Sequence, residues 1–297
     1  MTVEIPLIDF SPFIGGDRAA QQAVAEDILQ ACETVGFFYL RGHGVSADRV
    51  KRLLVQSRQF FALPLEAKRL LARSPQTNCG YVGYQQERLN PAQPWDVKEA
   101  FNVGLQSVWP PDAPDFQAVV SGFYEHCTQT VAPKVLQAFA IALSLPPHYF
   151  DDKHGDNYFL RLLHYPPIDQ PLAVGQLRAG AHTDYGTMTL LWQDAVGGLE
   201  VQTRSGLWVA APPIPDTVVV NVGDALQRWT NDRLRSTLHR VTPGQGAQQH
   251  RYAVALFCDP NPEVVLSCLP GCAADYPPRY APIRTQDHLN NKLNATY

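Results

Sequence analysis

Proline sets the first limit on how this chain can fold. Of its 297 residues 25 are proline, about 8% against a usual ~5%. Proline lacks an N–H and its ring clashes inside a helix, so long uninterrupted helices cannot make up most of the protein. Position says more than number. Pro166, Pro167, Pro212, Pro213, Pro215, Pro243, Pro260 and Pro262 all fall between short apolar runs, where a missing N–H harms no ladder. Those runs cover residues 158–165, 187–192, 199–202, 217–222, 236–241, 252–257 and 264–266. They are rich in β-branched, aromatic or aliphatic residues, and Gly, Pro, Asn and Asp separate them. Evenly spaced short strands with punctuating turns predict a sandwich or jelly roll rather than βαβ units.

The first ~145 residues follow a mostly helical grammar. Val24, Ile28, Leu29 and Cys32 fall at helical spacing within residues 21–34, and Gly36 ends the run. Residues 37–40 then predict a short strand closed by the turn Gly42-His43-Gly44. Ser46 is placed to cap a second helix with the stripe Val50, Leu53, Leu54, Ser57, Phe60 and Phe61. Pro64 suits the first turn of a third. A longer helical pattern over residues 116–143 meets Pro133, which predicts a kink or a break. Residues 285–293 predict a final helix with Thr285 as N-cap. The length allows one large domain or two small ones, and the change of grammar divides the chain into 1–150, a helical region packed on the core, and 151–297, the strand core with its last helix.

Charge and cysteine usage exclude several function classes. Lys and Arg number 24 against 28 Asp and Glu, so no basic field exists for nucleic acid or an anionic membrane. No stretch approaches the ~20 apolar residues of a membrane span. The opening Met1-Thr-Val-Glu-Ile-Pro6 lacks the basic and apolar regions of a signal peptide. The six cysteines are scattered with no CxxC pair, and only Cys268 and Cys272 lie close together. Buried free thiols in a reducing, cytoplasmic setting are the expectation, with a monomer or weak oligomer as the assembly.

The strongest chemical signal is His182-Thr183-Asp184 followed by His239. On a strand, residues i and i+2 share a face, so His182 and Asp184 can converge on one ion with His239 arriving from another strand. Two imidazoles and one carboxylate with open positions suit non-haem Fe(II). HxD also occurs by chance, as three unrelated polar residues. Arg251 adds a second signal: it opens the apolar run Arg251-Tyr-Ala-Val-Ala-Leu-Phe-Cys258, where an arginine is costly to bury unless an anion pairs with it. Its face also carries Ala253, Ala255 and Phe257, a slot for a carboxylate-bearing ligand. A solvated strand-end arginine is the alternative for this residue alone.

With these residues in hand the chain resembles the isopenicillin N synthase-like branch of the iron- and 2-oxoglutarate-dependent dioxygenases. Ile5-Pro-Leu-Ile-Asp-Phe10, Gly36-Phe-Phe-Tyr-Leu-Arg-Gly-His-Gly-Val45, Gly80-Tyr81 and Asp96-Val-Lys-Glu-Ala-Phe101 match its N-terminal region. Ala181-His-Thr-Asp-Tyr-Gly186, Gly197-Gly-Leu-Glu-Val201, Asn221-Val-Gly-Asp224 and Ser236-Thr-Leu-His-Arg-Val241 match its core in order and spacing. The resemblance implies a mainly β fold with flanking helices around a distorted double-stranded β-helix, and one catalytic unit spanning both halves. It implies His182, Asp184 and His239 as iron ligands, and Arg251 with Tyr165 on the distal carboxylate of 2-oxoglutarate. Tyr165 is otherwise an ordinary strand aromatic. It implies oxidation of a small molecule by O2 (hydroxylation, desaturation or cyclisation) with release of succinate and CO2. Phe257, Leu163, Tyr81 and Phe101 are the candidates for the substrate wall, with packing as the alternative role for each; Tyr84 and Asn102 share that segment. His43 and His164 are expected to be structural.

Two departures from the family pattern matter. The serine of its Arg-x-Ser pair is Ala253 here, and an asparagine two residues before the tyrosine is Leu163. Losing a hydroxyl on the distal carboxylate should cost ~1–1.5 kcal/mol, less than a charge-paired arginine contributes. Some relatives use no 2-oxoglutarate and draw electrons from the substrate or from ascorbate, so a 2-oxoglutarate-independent oxidase of the same fold stands as the alternative.

Overall fold

The structure, a computed structural model, describes residues 4–273 and 277–293. Its N-terminal half contains β1 (Leu7–Asp9), α1 (Ser11–Gly15), α2 (Arg18–Thr34), β2 (Phe37–Arg41), α3 (Ala47–Phe61) and α4 (Leu65–Arg69). β3 (Gly80–Val82), β4 (Glu99–Val103), α5 (Pro114–His126) and α6 (Ala132–Ala142) complete it. The second half runs through β5 (Tyr158–Tyr165), β6 (Ala179–His182), β7 (Met188–Gln193), β8 (Leu199–Gln202), β9 (Trp208–Ala210) and β10 (Thr217–Val222). After α7 (Asp224–Trp229) come β11 (His239–Val241), β12 (Arg251–Cys258), β13 (Val265–Leu266), β14 (Ile283–Arg284) and α8 (Thr285–Leu293).

Two sheets face each other. The larger has eight strands in the order β1-β2-β10-β7-β12-β5-β4-β3, and the smaller is β6-β11-β8-β9. One apolar core lies between the large sheet and the helices, with Ile28, Phe60, Phe116, Phe139, Leu160, Leu162, Val254 and Leu256 among its members. A second lies between the sheets, with Phe37, Tyr39, Leu163, Tyr165, Val201, Val241, Ala253 and Ala255. Both faces of β5 and β12 are therefore covered, which is why these strands are almost continuously buried although successive side chains point opposite ways.

The first 150 residues do more than pack on the core. They supply β1–β4 to the large sheet: β2 pairs with β10 and β4 with β5. The expected division at residue 150 is thus bridged by backbone ladders. β1, β3, β4, β6, β9 and β14 escaped the sequence reading because they are short and lack an alternating pattern. The 236–241 run shortens to His239–Val241 because the Ser236 N–H donates to Gln227 Oε1 and the Thr237 hydroxyl to Val35 O.

The helical expectations survive with local detail. Ser46 caps α3 by accepting from the Arg49 N–H. Between α5 and α6 the chain widens into one π-turn at Cys127–Val131, and Pro133 sits in the first turn of α6 directly after it, so the irregularity expected at this proline is a widened turn and not a break. The Thr285 hydroxyl opens no cap; it donates back to Val264 O. All six cysteines are free, and no described helix is long and apolar enough to cross a membrane.

His154 ties the last turn before β5 to the segment that enters β7. It is buried, Nδ1 donates to Phe150 O and Nε2 contacts the Thr187 hydroxyl. Burial lowers its pKa to about 4, so from pH 6.5 down to about 4 the unfolded chain binds the proton and the folded chain resists it. Stability should accordingly be present above pH 6.5 and be lost as pH falls toward 4. The dependence of the urea midpoint on pH over this interval should flatten in His154→Asn, even though that variant is weaker at pH 7.

Candidate metal centre and cosubstrate pocket

His182 ends β6 and His239 begins β11, and the antiparallel register sets them directly opposite each other, with ring centroids 4.2 Å apart. Asp184 lies two residues beyond the end of β6, in the turn and not on the strand as the HxD spacing suggested. Its Oδ1 is 3.8 Å from His182 Nε2 and 3.7 Å from His239 Nε2, and one ligand atom from each of the three lies within 4.8 Å of the others. Asp184 is held from behind by α7, whose Asp224 N–H donates to Asp184 O and whose Ala225 N–H donates to Tyr185 O and Gly186 O.

The atoms around the triad select its chemical state. His182 Nδ1 donates to Gly180 O at 2.8 Å and His239 Nδ1 to Thr237 O at 3.1 Å. Both bonds put the proton on Nδ1 and leave Nε2 as an electron-pair donor, the usual arrangement of metal-ligating histidine. Burial and the neighbouring His239 lower His182 to about 3, so it is neutral at pH 7. Burial works to raise Asp184, but His239, His182 and two hydrogen bonds hold it below the usual carboxylate range. Those bonds come from Thr189 Oγ1 at 2.6 Å and Asn221 Nδ2 at 2.7 Å, both to Oδ2, leaving Oδ1 for one bond to an ion. Phe37 of β2 packs edge-on against His239, so the N-terminal half steadies this imidazole as well. Groups that hold metal ligands from behind typically account for 10–100-fold in metal affinity. Asn221→Ala should weaken Fe(II) binding by about that factor in a direct metal titration, with the fold retained.

Along the large sheet the register lays out the rest of the site. On β12 and β5 the facing pairs run Arg251–Tyr165, Ala253–Leu163, Ala255–Arg161 and Phe257–Phe159. On β7, Gln193 lies beside Ala253 and Thr189 beside Phe257. Arg251 and Gln193 thus mark one end of the floor, and Thr189, which holds Asp184, marks the other. Arg251 is 1% exposed. Its Nε donates to Gly197 O at 2.6 Å and Nη2 to Gln193 Oε1 at 3.1 Å, and its guanidinium lies 4.7 Å over the Tyr165 ring. Nη1 is buried and has no partner among the described residues. A buried, unpaired guanidinium N–H is costly, and it fits the carboxylate expected at this end; the donor set at the other end fits Fe(II).

Leu163 and Phe257 line the same cavity of about 590 Å³; Tyr81 and Phe101 do not. Strand alternation turns the latter pair toward the helices. Phe101 packs 4.6 Å from Phe60 and 5.6 Å from Phe116, and Tyr81 donates to Glu99. Tyr84 is exposed, and Asn102 Nδ2 donates to Asn78 O. His164 also faces the helices, with Nδ1 2.7 Å from Glu99 Oε1.

The sequence reading missed a charge network in the cavity wall. Lys98 Nζ lies 2.9 Å from Glu87 Oε2 and 2.6 Å from Asp96 Oδ2, and Arg161 Nη2 lies 2.9 Å from Glu87. Asp96 Oδ1 also accepts from Gly180 N, joining the segment before β4 to the strand that carries His182. Asp96 and Lys98 in alternation was the available signal. A second missed residue is Asp259, one position past β12 and also on the cavity. Burial and the Asp184 carboxylate push it up to about 7.

Comparison with known proteins gives the family. Residues 5–121 match the family described as non-haem dioxygenase in morphine synthesis N-terminal, and residues 156–260 match the 2OG-Fe(II) oxygenase superfamily. The chain is 33% identical to the 2-oxoglutarate-Fe(II) type oxidoreductase hxnY of Emericella nidulans, over 98% of this chain and 90% of the relative. It is 38% identical to the proline hydroxylase buaE of Petromyces alliaceus, over 90% and 91%. A full-length Neurospora crassa protein, crystallised in complex with alpha-KG and thymine, superposes with a TM-score of 0.89 at 35% identity, covering 98% of this chain and 96% of that one. These likenesses support use of 2-oxoglutarate and not the independent oxidase. The chain belongs to the 2OG-Fe(II) oxygenase superfamily and is an Fe(II)- and 2-oxoglutarate-dependent dioxygenase.

Proposed function

We propose that His182 Nε2, Asp184 Oδ1 and His239 Nε2 hold the iron, and that Arg251 Nη1 binds the distal carboxylate of 2-oxoglutarate with Tyr165 beneath the guanidinium. With O2, this pair of cofactors supplies oxidation of a substrate C–H bond coupled to release of succinate and CO2. The chain's own residues bind and orient. Thr189 and Asn221 restrict Asp184 to a single donor oxygen, Gln193 and the Gly197 carbonyl aim Arg251, and Ala253, Ala255 and Leu191 keep the floor between the two ends low and apolar. The observation that carries this reading is one cavity with a convergent His-Asp-His set at one end and a buried, unpartnered guanidinium nitrogen at the other.

The substrate is a small molecule, in keeping with a cavity of about 590 Å³ and the usual ~300–1,000 Å³ of small-ligand sites. Thymine, which the Neurospora protein binds, and proline, after the name of the Petromyces relative, are the first compounds to test. The free thiols support a cytoplasmic setting. The deciding experiment adds Fe(II) and 2-oxoglutarate without oxygen and looks for the weak visible charge-transfer band of the chelate. Oxygen is then admitted with each compound and succinate is measured. A band followed by substrate-dependent succinate is the expected result; neither band nor succinate would overturn the reading.

A further inference from the structure

The charges on the cavity wall do not balance at one place. Lys98, Arg161, Glu87 and Asp96 pair two cations with two anions. Arg251 is matched by the cosubstrate carboxylate, and Asp184 by the ion. Asp259 remains: it lines the cavity, yet it forms no hydrogen bond or ion pair with any described residue. Asp156, exposed on the same cavity, has the same sign. A half-buried carboxylate without a partner costs free energy, and the structure makes room for it. An alanine at Gly186 would place its Cβ 1.8 Å from Asp259 Oδ1, so the loop next to Asp184 accommodates this carboxylate only because residue 186 has no side chain.

The neighbours of Asp259 on the sheet are equally particular. Within β5 and β12 every residue is buried except Phe159 and Phe257. These two sit at the same register level with ring centroids 6.2 Å apart, and both line the cavity. Asp259 follows Phe257 by two residues along the same edge. An aromatic pair opening on the cavity, with an anion at its end and Thr189 and Asp184 alongside, is a receptor for an ammonium group carried on an apolar body.

We infer that Asp259 is a specificity-determining residue that receives a protonated amine of the substrate, whose apolar part lies against Phe159 and Phe257. The inference rests on the dioxygenase reading and narrows its substrate to amine-bearing small molecules. The test uses matched triads of small cyclic and aromatic compounds, each an amine, its isosteric alcohol and its isosteric carboxylate, for example benzylamine, benzyl alcohol and benzoate. Binding to the anaerobic enzyme loaded with Fe(II) and 2-oxoglutarate is read by calorimetry, and succinate formation is read after oxygen is admitted. The amines should bind about tenfold or more tighter than their alcohols, as expected for a charged hydrogen bond, and carboxylates should bind least. Asp259→Asn should erase that preference, and Asp259→Glu should restore part of it.

A structural role would move a different quantity. If Asp259 only supported the fold, Asp259→Asn would lower the melting temperature of the cofactor-free protein. A receptor carboxylate without a partner predicts an unchanged or raised melting temperature together with loss of amine preference. Amines that bind no better than their alcohols, or a preference that survives Asp259→Asn, would overturn the inference. Absence of the charge-transfer band in the wild-type protein would instead fail the dioxygenase reading beneath it, so the two failures can be told apart.

Discussion

Asp184→Ala should abolish iron-dependent turnover. Among the three proposed ligands Asp184 contributes the only negative charge, and its Oδ1 is the atom that both histidine Nε2 atoms approach within 3.8 Å. Its loss leaves only two imidazoles to face a dication and strands Thr189 and Asn221 without their acceptor. Outer partners of metal ligands already account for about 10–100-fold in affinity or activity, so removing the ligand itself should cost at least roughly 100-fold. Fe(II) titration should show the loss directly, and the visible band with 2-oxoglutarate should vanish. Asp184→Asn keeps an acceptor for both hydrogen bonds but lacks the charge, and it should also fail to hold iron at stoichiometric concentration. Retained turnover in either variant would refute the assignment.

Arg251→Gln should raise the KM for 2-oxoglutarate by about 30-fold or more, the equivalent of at least ~2 kcal/mol for truncating one side of a buried charge pair. At saturating cosubstrate kcat should fall far less, because Arg251 lies at the end of the floor away from the ligands. Equilibrium binding of 2-oxoglutarate to the anaerobic iron form checks the same loss without turnover. Lysine is a poor replacement. One ammonium cannot hold the Gly197 carbonyl, Gln193 and a carboxylate in the fork geometry that a guanidinium provides. The complementary change is Ala253→Ser, which restores the hydroxyl that relatives place beside the arginine. Position 253 is 1% exposed between Leu163 and Gln193. Serine there should lower the KM for 2-oxoglutarate about fivefold, near ~1 kcal/mol, while the cofactor-free protein loses stability because the new hydroxyl is unpaired. Opposite movements of KM and melting temperature would identify the missing hydroxyl as a real deficit.

Much of the site was legible because its chemistry is unusual for its position. His182 and Asp184 two residues apart, His239 in a separate run and Arg251 opening an apolar strand are each expensive unless they serve a ligand. The wall was harder to read. Tyr81 and Phe101 lie in the right segment, but on β3 and β4 a shift of one residue exchanges the cavity face for the helix face. Only the pairing of β4 with β5 decides which it is. Lys98, Glu87 and Arg161 come from three places in the chain, and no local pattern announces that they neutralise one another. Asp259 is likewise an ordinary loop aspartate until the tertiary fold shows that no described residue partners it.

The sequence alone therefore determined the punctuated β architecture, and it singled out His182, Asp184, His239 and Arg251 as the residues to look for in one cavity. Each follows from local rules: proline needs a place outside ladders, strands alternate, and buried charge needs a partner. Only the tertiary structure decided that the first 150 residues join the large sheet, that Asp184 meets the two histidines from a segment beyond β6 held by α7, and which cavity-facing charges cancel. Those outcomes depend on register and on contacts between distant segments, where a placement changed by one residue alters the whole face a side chain meets.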